Sequence, residues 1–181
     1  MPTNVPLLRD TELTLLPWRD VESLPGVRAD IIASCNDPVM VRWTTVPHPY
    51  TPEHADEFLT AAPEGVERWA YVLDGRYAGS IDLRSGGVLG YNTAPWARGQ
   101  GLTARALRLV AAHAYTQGLR RLELHIAVDN AASRRTAEKA GYTFAGLLPD
   151  PVRLRGHEDT LACYVLLAPD EAEPNSTSIA P

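Results

Sequence analysis

The chain has 181 residues, 45% hydrophobic and 22% charged, with a formal net charge of −5. That suits one ordinary globular domain, and a balance this acidic, with Asp170, Glu171 and Glu173 at the C-terminal end, argues against a nucleic-acid partner. No apolar run is long enough to span a membrane and no signal peptide opens the chain, so a cytoplasmic protein is expected. Two distant cysteines, Cys35 and Cys163, make no disulfide framework. The five histidines show no ligand spacing, so no metal is expected. Lys139 is the only lysine among 17 basic residues, which leaves arginine, with its planar fork of donors, for contacts to phosphate.

Glu12 to Trp18 alternates as an opening strand. Arg28 to Cys35 is a short helix ended by Asn36-Asp37-Pro38, and Val39 to Tyr50 reads as an irregular loop carrying Arg42, Trp43, His48 and Tyr50. Thr51-Pro52-Glu53 starts a second helix, with a cap, a first-turn proline and an acid. Arg68 to Leu73 and Arg76 to Leu83 are strands joined by the hairpin signal Asp74-Gly75. Val88 to Thr93 is the next strand. From Leu102 the apolar spacing turns helical, and Gly118 stops that helix. Arg121 to Val128 alternates, with Leu122, Leu124, Ile126 and Val128 on one face and Glu123 and His125 on the polar one. Asp129-Asn130 caps a helix over residues 131–140, and Tyr142 to Leu148 and Asp159 to Leu167 close the sheet. Residues 1–167 are expected to form one domain and 168–181 a disordered tail.

The stretch between strand and central helix, APWARGQGLTA, carries the chemistry. Glycines at a helix start leave several N–H groups unpaired and pointing one way, which makes an anion site, and phosphate is the usual anion. Gly99-Gln100-Gly101-Leu102-Thr103-Ala104 fits the dinucleotide fingerprint G-x-G-x-x-A; Arg98-x-x-Gly101-x-Thr103 resembles the pyrophosphate loop of coenzyme A-dependent N-acyltransferases, Thr103 departing from its final small residue; a plain tight turn is the third reading. Element order weighs against the first. A hairpin meander precedes the glycines here, whereas a dinucleotide fold repeats parallel βαβ units.

A second motif joins the loop. Asn130-Ala131-Ala132-Ser133, followed at the right distance by Gly141-Tyr142, together with Gly90-Tyr91, Arg98-Gly99-x-Gly101 and Gly156-x-x-Asp159, resembles the RimJ/RimL-like group of GNAT-superfamily N-acetyltransferases over nearly the whole chain. The resemblance implies an α+β fold whose central, mostly antiparallel twisted sheet is flanked by helices and splayed between the fourth and fifth strands. It implies acetyl-coenzyme A (acetyl-CoA) lying in that gap. The N–H groups of Gln100, Gly101, Leu102 and Thr103 would face its pyrophosphate, with Arg98 and Gly99 completing the loop. Main-chain groups of Asn92 and Thr93 and the Asn130 amide would hold the pantetheine arm.

The reaction implied is direct transfer of acetyl to a primary amine, a peptide N-terminus or a small molecule. Many relatives use a tyrosine as proton donor at the position of Ala137; in this group Ser133 takes that role. The glutamate that serves some relatives as base falls at Val152 here and is absent. Asp82, on the acceptor side, is the first candidate in its place, ahead of Glu123 and His125. The acceptor site would draw on the Val39–Tyr50 loop, the helix after it and the last hairpin. A nucleotide-binding oxidoreductase and a non-catalytic coenzyme A sensor are the alternatives, and a homodimer is compatible with the fold group.

Overall fold

The computed structural model describes residues 5–61 and 64–169. Most of the expected tail, residues 170–181, lies outside them; within them, Ala168 still donates to the Arg120 carbonyl (2.9 Å). Among the described residues ten strands and five α-helices occur in chain order: β1 (Leu8–Arg9), β2 (Thr14–Pro17), α1 (Val27–Cys35), α2 (Pro38–Trp43), α3 (Pro52–Thr60), β3 (Val66–Leu73), β4 (Arg76–Arg84), β5 (Val88–Thr93), α4 (Leu102–Thr116), β6 (Arg121–Ala127), α5 (Ala131–Lys139), β7 (Thr143–Leu147), β8 (Val152–Leu154), β9 (His157–Asp159) and β10 (Leu161–Leu167). Eight strands form one sheet in the order β1-β2-β3-β4-β5-β6-β10-β7, and β8 and β9 form a separate hairpin. Every pair in the large sheet is antiparallel except β5–β6. This is the α+β architecture expected from the sequence.

Strand alternation sorts the side chains into two layers. Trp69, Ile81, Leu89, Leu122 and Leu124 face Leu107 and Val110 of α4. The opposite face buries Ala70 and Tyr77 under Trp18 and Val21, from the short helical turn Trp18–Ser23 after β2, and Ile31 of α1. Asp74 (φ 51°) and Gly75 (φ 75°) both take the left-handed conformation that the β3–β4 turn needs.

The segment from Val39 departs from expectation. Asp37 accepts hydrogen bonds from the N–H groups of Val39 and Met40, and Pro38 occupies the first turn, so the dipeptide that ends α1 also starts α2. The last strand is also split. Asp159 belongs to the β8–β9 hairpin, and β10 begins only at Leu161.

The parallel pair decides where a site can form. β5 and β6 are in register only at Val88–Glu123 and Leu89–Leu124. The Glu123 N–H donates to the Gly87 carbonyl at the base of the fork (2.9 Å). Gly87 has φ 86°, and a Cβ there would run into the Arg121 carbonyl. Beyond Leu89 the two strands part. β5 stays bonded to β4 and β6 to β10, so the gap opens within a sheet that is rigid on both sides.

Candidate active site

The gap opens into a cleft of about 440 Å³ whose walls include Tyr91–Thr93, Arg98, Gly99, Gly101–Ala104, His125–Ala127, Asn130 and Ser133. Gly101 caps α4 in the left-handed conformation (φ 75°), and the first helical bond runs from the Arg105 N–H to the Gly101 carbonyl (3.2 Å). No side chain caps this end, so the N–H groups ahead of Arg105 form an open crown at the positive end of the helix dipole. The space where a Cβ would stand on Gly99 and Gly101 is open, so main chain is accessible to a ligand there. Thr93 and Thr103 join their hydroxyls at 2.6 Å, tying the end of β5 to the first turn of α4.

Arg98 lines the cleft, but its guanidinium donates to Asp37 (2.6 Å) and to the Thr93 carbonyl (3.3 Å). Burial pushes the Asp37 carboxyl up, yet Arg98 and the α2 amides hold it below its usual value. Arg98 therefore fastens the glycine loop to α2.

Two bonds fix the orientation of β5. Ala94 N–H donates to Ala78 on β4, and Gly87 receives the β6 amide. Alternation then turns the main-chain groups of Leu89, Tyr91 and Thr93 toward β6 and the gap, and those of Asn92 toward β4. The Asn92 side chain donates to Ser80 (2.6 Å).

Asn130 caps α5 by accepting from the Ser133 N–H (3.1 Å). Ser133 Oγ lies 2.7 Å from the Tyr91 hydroxyl. Burial raises the Tyr91 phenol, with the Ser133 contact pulling the other way, so that hydroxyl stays protonated. Sequence reasoning placed Ser133 but missed this partner, which arrives from a different strand.

Asp82 is placed differently from the role expected of it. It pairs bidentately with Arg68 (2.7 and 3.2 Å), whose guanidinium also lies over the Phe58 ring at 4.5 Å, and it is not among the residues that wall the cleft. Both of its oxygens are thus engaged by Arg68, outside the cleft.

The end of the cleft beside α2 is closed by Val39, Met40 and Trp43 and by Leu154 and Leu161. Arg42 does not line it; it grips Asp159 with two bonds (2.7 and 3.0 Å) and so clamps α2 to the β8–β9 hairpin. Tyr50 is buried and donates to the His54 carbonyl (3.1 Å).

At the fork itself His125 Nε2 lies 2.9 Å from Glu123 Oε2, Arg121 binds the other carboxylate oxygen (2.8 Å), and the Cys163 thiol approaches at 3.6 Å. His125, followed by Arg121, holds the Glu123 carboxyl down at about 2. Burial and the adjacent carboxylate push the Cys163 thiol up, so it stays a thiol. One polar side-chain atom from each of Glu123, His125 and Cys163 lies within 4.8 Å of the others, a convergence invisible in the spacing because Cys163 comes from β10.

A family model described as an acetyltransferase (GNAT) domain matches residues 12–143. No curated protein matches the chain in sequence. Among solved structures, the microcin C7 self-immunity acetyltransferase MccE, in complex with acetyl-CoA and AMP, superposes with a TM-score of 0.75 at 18% identity, covering 88% of this chain and 94% of its own. The ribosomal L7/L12 α-N-protein acetyltransferase RimL, in complex with coenzyme A, gives 0.75 at 18%, covering 90% and 98%. Mycobacterium smegmatis RimJ, in complex with a CoA disulfide, gives 0.72 at 19%, covering 91% and 87%. At these identities the likeness is one of fold.

Proposed function

The chain belongs to the GNAT acetyltransferase family, and from that membership we propose that it moves acetyl from acetyl-CoA to a primary amine by direct attack, as a RimJ/RimL-like enzyme acting on a peptide N-terminus or a small amine. The observation that carries this reading is the open amide crown of α4, facing the same cleft as the Tyr91–Ser133 hydroxyl pair. The residues present fit the donor. Amides from Gln100 to Thr103 suit a pyrophosphate. Odd-numbered main-chain groups of β5 suit an extended amide arm laid along them like a strand. The Asn130 amide nitrogen is left for the same arm while its oxygen caps α5. Lys139 also lines the cleft and offers a point charge to a terminal phosphate.

The chemistry needs a polarised thioester, a neutral amine and a proton for the leaving sulfur. The Tyr91 N–H, turned into the gap, is placed to donate to the developing oxyanion. The Ser133 hydroxyl, oriented by Tyr91, is placed to serve the departing sulfur. The acceptor wall is apolar, and two carboxylates on the segments that build it, Asp37 and Asp159, are each bound to an arginine. That favours an amine with an apolar neighbour over a polycation. Cys35 and Cys163 are free and buried, which suits a reducing, cytoplasmic setting.

Calorimetry with acetyl-CoA tests the reading: saturable one-site binding is expected, and Gly101→Asp should abolish it by placing a side chain and a like charge where the phosphate sits. Retained binding in that variant would place the cofactor elsewhere.

A further inference from the structure

We propose that His125 is the general base that receives the proton of the attacking amine, and that Glu123 positions it. The proposal rests on the acetyl-transfer reading and supplies the one group that reading lacks. Among the described residues, no aspartate or glutamate lines the cleft; its ionisable residues are Tyr91, Arg98, His125 and Lys139. Tyr91 is a buried phenol raised by that burial. Arg98 is permanently charged and paired with Asp37. Lys139 stands at the end of α5, beside the part of the cleft assigned to phosphate. His125 is the one histidine in the cleft, and histidine is the residue type whose ring both accepts and donates a proton in this chemistry.

Position supports the same conclusion. His125 is the first β6 residue past the last β5–β6 pair, Leu89–Leu124. It stands at the crotch of the fork, where a thioester threaded along the gap meets an acceptor coming from the α2 side. Its Nε2 faces Glu123 at 2.9 Å, and its Nδ1 has no hydrogen-bond partner among the described residues. A carboxylate on Nε2 fixes the proton there and leaves the Nδ1 lone pair free. Glu123 is itself anchored by Arg121 and the Cys163 thiol. The charged and titratable groups in this cluster are Arg121 and Glu123 on β6 and Cys163 on β10; across the fork the β5 residue level with His125 is Gly90, whose β4 partner Asp82 is paired with Arg68.

The step balances. An alkylammonium gives one proton to Nδ1 of His125, which passes it to solvent through its exposed edge. The neutral nitrogen then bonds the acetyl carbon as the carbon–sulfur bond breaks, and the second nitrogen proton ends on the thiol by way of Ser133.

The test compares wild type, His125→Gln and Glu123→Gln by thiol release from acetyl-CoA with two amines: 2-phenylethylamine, an ammonium at neutral pH, and 2,2,2-trifluoroethylamine, already neutral there. His125→Gln should lose about 10²-fold in kcat with the first amine, should lose far less with the second, and should bind acetyl-CoA as wild type does. Glu123→Gln should keep part of the rate and move the acid limb of its kcat/KM profile to lower pH. Equal losses with both amines, or a His125→Gln rate within about threefold of wild type, would overturn the proposal while leaving acetyl transfer standing. A wild type that binds acetyl-CoA and acetylates neither amine overturns the base and counts against acetyl transfer itself.

Discussion

At the scale of single residues, the site is built from pairs that meet across strands. Ser133 is held from two sides: its N–H by Asn130 and its hydroxyl by Tyr91. Ser133→Ala should therefore leave acetyl-CoA affinity nearly intact and cut kcat by about 10-fold or more, measured by thiol release at saturating donor. Tyr91→Phe removes only the group that aims the serine, so its loss should be smaller and should vanish in the Ser133→Ala background. Additive losses would show that Tyr91 acts on the substrate by another route. Ser133 and Asn130 were legible in the sequence because they lie three residues apart at a helix start. Tyr91 as their partner was not, because nothing in local spacing records which strand faces which helix turn. Asp82 fell to the same blindness: Arg68 comes to it from the next strand and engages both of its oxygens.

At the scale of elements, periodicity and turn chemistry located β3 through α5 nearly to the residue, because each is bounded by glycine, proline or a cap. α2 escaped because Asp37-Pro38 serves two helices at once, and a stop signal hid a start signal. That short helix shapes the cleft, since Arg42 on it clamps Asp159 and Trp43 lines the cleft wall. Asp159→Asn keeps the shape and weakens the clamp, so the amine KM should rise several-fold with the acetyl-CoA KM unchanged. A change confined to acetyl-CoA would instead tie α2 to the donor. The fork makes a sharper claim. Gly87 combines a positive φ with a Cβ that would strike the Arg121 carbonyl, so Gly87→Ala should destabilise the fold by at least about 1–3 kcal/mol, read from urea unfolding. It should disturb the β5–β6 pair before any other part of the sheet, visible as faster amide exchange at Glu123.

At the scale of the molecule, the sheet is one continuous surface broken at a single seam, and the N-terminal segment is tied to the helix that faces that seam. Arg105, one turn into α4, reaches back to Asp10 (2.7 Å) and Glu12 (2.6 Å). The Arg105 contact, working against partial burial, holds the Asp10 carboxyl near 2, below its usual 3.8, and Glu123 at the fork is likewise lowered from 4.5 to about 2. A carboxyl depressed in the native state binds fewer protons there than in the unfolded chain. Its stabilisation is therefore whole above the unfolded value and lost as pH falls through the native one. Thermal midpoints should stay level down to about pH 5 and then fall between pH 4.5 and 2. Arg105→Gln should melt below wild type at pH 7, and the difference should shrink as Asp10 is protonated in both. A difference that stays constant across that window would mean that Arg105 stabilises by packing its stem against α4 and the first strands, and that the charge between the two ends of the fold contributes nothing.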